Sequence, residues 1–149
     1  MPKLKKKPIK KLSPSSPKTL KKDNRNISDI YKEKAPVWRF GRIDFEGEWG
    51  WRNIKDFNII LTIQQRLKNF ETMTWNEIIG KEHHPISTTD LSNNAQSRLL
   101  ELELDDNEFL YSLRIEGKKR LWGIRDNEIL YILWYDHELS VYPVPLKNT

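Results

Sequence analysis

Between Phe109 and Asp136 the apolar period switches from 3.6 to 2, and three strand-length segments follow one another across two short turns, the signature of an antiparallel sheet. Phe109, Tyr111, Leu113 and Ile115 alternate with Leu110, Ser112, Arg114 and Glu116. Gly117-Lys118 suits a two-residue turn into Arg120-Leu121-Trp122-Gly123-Ile124-Arg125, Asp126-Asn127 turns the chain again, and residues 128–136 complete a meander. Val141-Tyr142-Pro143-Val144 is expected to add an edge strand, because Pro143 lacks the amide a central strand needs. Pairing about these turns sets Ile115 opposite Arg120, Leu113 opposite Trp122 and Tyr111 opposite Ile124, in line with Leu133, Tyr131 and Ile129, as a core face. The reverse face then carries Arg114, Ser112, Gly123, Arg125, Leu121, Leu130, Ile132 and Trp134. Half open, it offers guanidinium and indole planes that suit base stacking and phosphate pairing, with Trp134 as the stacking platform.

Upstream the pattern is helical. After a strand over 37–45, closed by Glu46-Gly47, apolar spacings of three and four over 54–70 predict a helix that buries Phe57, Ile60, Leu61, Gln64 and Leu67. Thr74-Trp75-Asn76-Glu77 is a capping box, with Met73 and Ile78 as its staple, opening a short helix that Gly80 ends. Ser87 to Asp90 starts a third, with Leu91, Ala95, Arg98, Leu99 and Leu102 on one face up to about Glu103. The expected fold is α+β: an N-terminal strand, two or three helices, then a C-terminal antiparallel β-meander with the helices packed on one face.

Charge divides the chain differently. Residues 1–34 hold twelve basic side chains against three acidic ones, a net of +9, while residues 35–149 have a net of −4. Residues 1–22 are mainly Lys, Pro and Ser, too poor in apolar area to offset the entropy of ordering, so 1–34 is expected to be a disordered basic tail and 35–149 a single domain. Lys5, Lys6, Lys7, Lys10 and Lys11 suit phosphate contact with nucleic acid, each displacing a counterion. A solubilising extension fits them as well, since lysine runs without interleaved aromatics read no sequence. The chain has no cysteine, no signal-peptide pattern and no apolar run approaching the ~18–20 residues of a membrane span, which predicts a cytoplasmic protein without membrane partners.

Among single residues, Arg114 has no evident partner in this pattern and is the stronger functional candidate. Arg125, set opposite Glu128, also suits a cross-strand ion pair, and Arg120 packs its stem at the rim of the core face. His83-His84 is placed in a loop between helices without the spacing of a metal-ligand set, so neither metal nor cofactor is expected. Asp136-His137 suits a carboxylate orienting an imidazole, or an ordinary polar strand end. Gly-rich phosphate loops, nucleophile elbows and dinucleotide fingerprints are absent.

The strand, helices and meander in this order resemble the RelE/ParE superfamily of bacterial toxins, typically β-α-α-β-β-β. Leu113-Arg114-Ile115, Lys119-Arg120-Leu121-Trp122-Gly123-Ile124-Arg125 and Ile129-Leu130-Tyr131-Ile132-Leu133 are similar to that group's "R-L-R … Y-R-V-x-Y … I-x-I-L" rhythm, over roughly residues 88–135. The insert from Trp49 to Phe70 and the Lys-rich leader depart from it. Leu133-Trp134-Tyr135-Asp136-His137 followed by Val141-Tyr142-Pro143 also resembles small uncharacterised bacterial and mobile-element proteins. The superfamily resemblance implies a metal-independent endoribonuclease that cleaves ribosome-bound mRNA through attack of a ribose 2′-hydroxyl, or, in the ParE branch, interference with gyrase. RNA or the ribosome and an antitoxin protein would be its partners. Cleavage needs a base, cations and an acid. Arg114, Arg120 and Arg125 would supply charge, His83, His84 or His137 would move protons, and Tyr142 stands where the C-terminal tyrosine of some relatives acts. The alternative is a non-catalytic nucleic-acid- or protein-binding module of a phage or mobile element using the same sheet face.

Overall fold

The computed structural model describes residues 27–143. The chain divides into two units, 1–31 and 32–149, and the first is described only over its final residues, within a 3-10 turn at Ile27–Glu33. The second unit is α+β, with a five-stranded, mostly antiparallel sheet in the order β1 (Val37–Arg39), β5 (Ile129–Asp136), β4 (Lys119–Asp126), β3 (Phe109–Glu116) and β2 (His83–Ser87). Its meander is β3 (Phe109–Glu116), β4 (Lys119–Asp126) and β5 (Ile129–Asp136), as expected. β1 is confined to Val37–Arg39, where it pairs parallel to β5, so the strand expected over 37–45 stops where Phe40 leaves the sheet. No helix among the described residues is long and apolar enough to cross a membrane.

Helix α1 (Phe57–Phe70) begins where the Asp56 carboxylate accepts the Asn58 amide at 2.9 Å. It buries Ile63, Leu67 and Phe70; of the stripe expected, Leu67 is buried and Ile60 half-buried, while Gln64 is exposed and Phe57 and Leu61 are 69% and 43% exposed. Phe57 and Leu61 had the right spacing, but so did Ile63 and Phe70, and with Leu67, common to both sets, these are the residues the fold buries. Helix α2 (Trp75–Ile78) carries the expected capping box, Thr74 Oγ1 accepting the Glu77 amide while Glu77 Oε1 accepts the Thr74 amide. Its Trp75 is fully buried, edge-on to Trp38 and Tyr111 with centroids 6.1 Å apart in each pair, and donates its indole N–H to Glu128 O. α1 and α2 thus cover the sheet face that carries Trp38, Tyr111 and Leu113.

His83–Ser87 is strand β2, antiparallel to β3, although the sequence pattern places His83-His84 in a loop and Ser87 at a helix start. Pro85 is tolerated because β2 is the sheet's outer edge, where a missing amide costs no ladder bond. Helix α3 (Asn93–Glu101) starts later than expected, capped by Ser92 Oγ on the Ala95 amide, because Thr88–Asp90 forms a 3-10 turn first. Val141 to Pro143 do not form the expected strand, and Val144 lies outside the described residues. Val141 donates to Asp136 Oδ2 and accepts from the Ser92 amide, which draws it off the sheet.

The register differs from the one expected, for two local reasons. Glu116 pairs with Lys119 about the Gly117-Lys118 turn, but Ile115 is then bulged out, so Arg114 meets Arg120, Leu113 meets Leu121 and Ser112 meets Trp122. The next turn is Asn127-Glu128, with Asn127 at φ +58°, so Arg125 stands opposite Leu130 and not Glu128. A second irregularity between Trp122 and Gly123 sets Trp122 opposite Trp134. A Cβ on Gly123 would lie 2.6 Å from Tyr131 O, so only glycine fits at this step.

The half-open face is not present. Ser112, Trp122, Ile124 and Trp134 are all buried, and the loop of residues 42–51 packs over β5 at Tyr131 and Trp134. Arg42 lies 4.8 Å above the Tyr131 ring, Trp49 packs 4.9 Å from Trp134, and the buried Asp44 accepts the Trp134 indole N–H. Arg98 of α3 grips the same carboxylate with both Nε and Nη2. Residues 42–45 had read as the end of a strand and Glu46-Gly47 as the turn closing it. The loop works instead as a cover anchored on one buried charge.

Candidate functional site

Strand direction gathers the polar chemistry at one end of the sheet. β2 begins there, β3 and β5 end there and β4 starts there, so Arg114, Arg120 and Asp136 lie on one rung, with His83 and His84 at the start of β2 and His137 just past β5. These are the chain's three histidines. Like charges directly opposite on a sheet repel, and Arg114 and Arg120 are directly opposite. Among the described residues the one carboxylate that pairs with either is Glu82, 2.9 Å from Arg114 Nη1. Arg114 Nε and Arg120 Nη1 both donate to Gly117 O, at 3.1 and 2.7 Å, and Arg120 reaches Lys119 O as well. Burial, and then the Arg114 charge, push the Arg120 guanidinium below its ordinary pKa, against the pull of Asp136 and Glu82. An arginine stays charged under such a push, so two like charges stand directly opposite each other, flanked by the carboxylates of Glu82 and Asp136.

The Arg114 peptide is held from both sides. Its N–H donates to His83 Nδ1 at 3.0 Å, and its carbonyl accepts from Arg66 Nε at 3.2 Å. His83 is buried, edge-on to Phe70 at 5.0 Å, and its Nε2 lies 3.5 Å from Arg66 Nη2. Burial and then the Arg66 charge bring its pKa down to about 4, although Glu82 pulls the other way. His83 is therefore a neutral acceptor near pH 7, fixing Arg114 rather than moving protons.

On the α1 side of the same sheet end lies a cleft of about 520 Å³, lined by Gly50, Asn53, Ile54, Ile59, Lys119, Tyr135 and His137 among others. A smaller recess of about 140 Å³ shares Asp56, Ile59, Lys119 and Tyr135 with it. The Tyr135 hydroxyl is buried and has no hydrogen-bond partner among the described residues. Burial, with Glu116 and Asp136 nearby, raises its pKa. Lys119 Nζ rests 3.2 Å from Glu116, and His137 is largely exposed, with Nε2 3.7 Å from Glu138.

The structure brings Arg114 and His137 to one sheet end and separates them from Arg125. That residue lies at the other end of β4, donating to the Tyr111 hydroxyl at 2.9 Å with its guanidinium 5.3 Å from the same ring. Tyr142 is half-buried in the segment after β5. Trp134 cannot stack on a base, being fully buried with its N–H on Asp44. Asp136 does not orient His137: its carboxylate accepts from the Glu138 amide, Ser140 Oγ and the Val141 amide, shaping the turn that carries Leu139 at φ +62°. Lys5, Lys6, Lys7, Lys10 and Lys11 lie outside the described residues. Among the described residues no group of three or more His, Asp or Glu is placed to hold a metal. Sequence reasoning missed Arg66, Glu82, Lys119 and Tyr135, since nothing in the residues themselves marks which ends of distant strands will meet.

Comparison with protein-family models, with curated proteins and with solved structures finds no match.

Proposed function

We propose that this protein binds RNA without cutting it, taking a backbone phosphate at Arg114 and Arg120 and further phosphates along its basic N-terminal arm. The observation that carries this reading is the Arg114–Arg120 rung, where two arginines stand directly opposite each other, Arg114 paired with Glu82 and Arg120 next to Asp136. A phosphate between them would relieve their repulsion and accept from the fork of each. His83 and Arg66 hold the Arg114 backbone in place for that contact. Such contacts position an RNA without reading its sequence.

Fluorescence anisotropy with a labelled single-stranded RNA tests the reading. Arg114→Ala with Arg120→Ala is expected to weaken binding about tenfold, in line with the loss of charge-assisted hydrogen bonds. Unchanged affinity would remove the rung from the interface.

A second reading has one observation in its favour: Arg114 and His137 share a sheet end, as an endoribonuclease of a toxin and antitoxin pair would need. Cleavage of the bound RNA, lost in His137→Ala and in a substrate lacking the 2′-hydroxyl, would establish it. Intact RNA after prolonged incubation supports the binding module.

A further inference from the structure

Of the two carboxylates that flank the Arg114–Arg120 rung, one is fixed in place and the other is not. Asp136 is fully buried and accepts from the Glu138 amide, Ser140 Oγ and the Val141 amide, so it belongs to the turn after β5. Glu82 stands just ahead of β2, in a turn closed by the Gly80 amide on His83 O. Its side chain is 53% exposed, and among the described residues its carboxylate has one partner, Arg114 Nη1 at 2.9 Å.

Arg114 is held far more firmly. Its N–H donates to His83 Nδ1, its carbonyl accepts from Arg66 Nε, and its own Nε donates to Gly117 O. In this ion pair the cation is built in, while the anion is tethered through a single exposed contact of the kind that adds little to stability. That contact nevertheless occupies a donor. With Nε on Gly117 O and Nη1 on Glu82, every two-donor edge of the Arg114 fork includes an occupied nitrogen, and moving Glu82 restores one of them for a bidentate grip on phosphate. A tethered carboxylate also keeps a constant local concentration at Arg114, so any free anion must compete with it. Its charge is felt across the rung, where it opposes the effect of burial on Arg120.

We infer that Glu82 is a tethered competitor at the rung: it occupies Arg114 in the free protein, gives way to an incoming phosphate, and so sets the affinity of the site. For RNA this rests on the preceding proposal; the competition itself concerns any phosphate at Arg114.

The test uses the full chain, isotope-labelled in its arginine side chains, titrated with inorganic phosphate and, separately, with the single-stranded RNA. Glu82→Gln keeps the shape of an exposed side chain and removes its charge. It is expected to lower the phosphate concentration that shifts the Arg114 guanidinium resonance by about two- to fivefold, and to tighten RNA binding by a similar factor. In an Arg114→Ala background the same substitution is expected to change RNA binding no further, because the competitor then has nothing to occupy. Glu108→Gln removes one carboxylate ahead of β3, at the opposite end of the sheet, and is expected to leave both titrations as in the wild type. A gain that Glu108→Gln matches, a gain that survives the loss of Arg114, or equal titrations of wild type and Glu82→Gln overturns the inference. So does an Arg114 resonance that phosphate moves in neither protein. RNA binding indifferent to Arg114→Ala with Arg120→Ala rejects the preceding proposal instead, and the phosphate titration then decides on Glu82 alone.

Discussion

Two buried titratable residues decide how the protein meets acid. His83 has a folded pKa of about 4 against an ordinary value of 6.5, so between those values the unfolded chain binds a proton that the folded protein does not. Stability therefore falls as the pH drops through that window, by about 3 kcal/mol when the window is crossed. Urea midpoints taken from pH 7 to pH 4 are expected to decline accordingly, with an imidazole NMR titration placing His83 near 4; a ring that titrates near 6.5 would contradict its role as the acceptor for Arg114. Asp44 acts further down the scale. Burial pushes its carboxyl up, but the hydrogen bonds from Arg98 and Trp134 outweigh it and the net shift is below 3.8. Its contribution is present above the ordinary carboxylate pKa and disappears as the pH falls through the lowered one. Asp44→Asn leaves Arg98 facing a neutral amide and is expected to cost about 3 kcal/mol at pH 7, the lower end for breaking a buried pair because Arg98 is partly exposed. The gap between wild type and variant should narrow below about pH 3.8 in the same urea series.

At the scale of the element, α1 gives the sharpest contrast between sequence and structure. Phe57→Ser with Leu61→Gln removes the stripe that looked like core and is expected to change stability by no more than about 0.5 kcal/mol, since both side chains are exposed. Ile63→Ala opens a cavity against the sheet and is expected to cost about 2–4 kcal/mol. Denaturation midpoints that reverse this order would reject the observed face. The elements that were legible had local causes. The meander showed in its period and turns, and α2 in a capping box whose two hydrogen bonds lie within four residues. What was illegible depended on partners distant in the chain. Residues 110–113, 121–124 and 130–136 are buried on both faces, so alternation could not say which side was core. A one-residue bulge at Ile115 then exchanges the faces, bringing Arg114 rather than Ile115 opposite Arg120. Arg114 and His137 were visible as candidates because they are charged or titratable strand-end residues. Tyr135 and Lys119 were not, because the cleft they line is formed with α1, more than fifty residues earlier.

For the whole molecule, the net of +9 in residues 1–34 and −4 in the rest makes two separable sources of attraction for a polyanion. On the proposed reading, long-range attraction comes from the arm, and the body's contact is the rung where Arg114 and Arg120 meet. Salt dependence distinguishes them, because the slope of log Kobs against log salt counts phosphates neutralised, at about 0.7 for each contact on a single strand. Deleting residues 1–26 removes ten basic side chains and one acidic one. If most of them reach phosphate, the slope is expected to fall by about 7, and by less in proportion to the lysines that stay solvated. Arg114→Ala with Arg120→Ala is expected to lower it by about 1.4, by the same amount whether or not the arm is present, if each arginine neutralises one phosphate. The measurement is anisotropy across a salt series on four proteins: full chain, deletion, double variant, and both together. A slope that the deletion leaves untouched would make the arm a solubilising extension. A slope that the deletion removes entirely would place all binding in the arm, and the paired arginines of the body would then serve the sheet rather than an RNA.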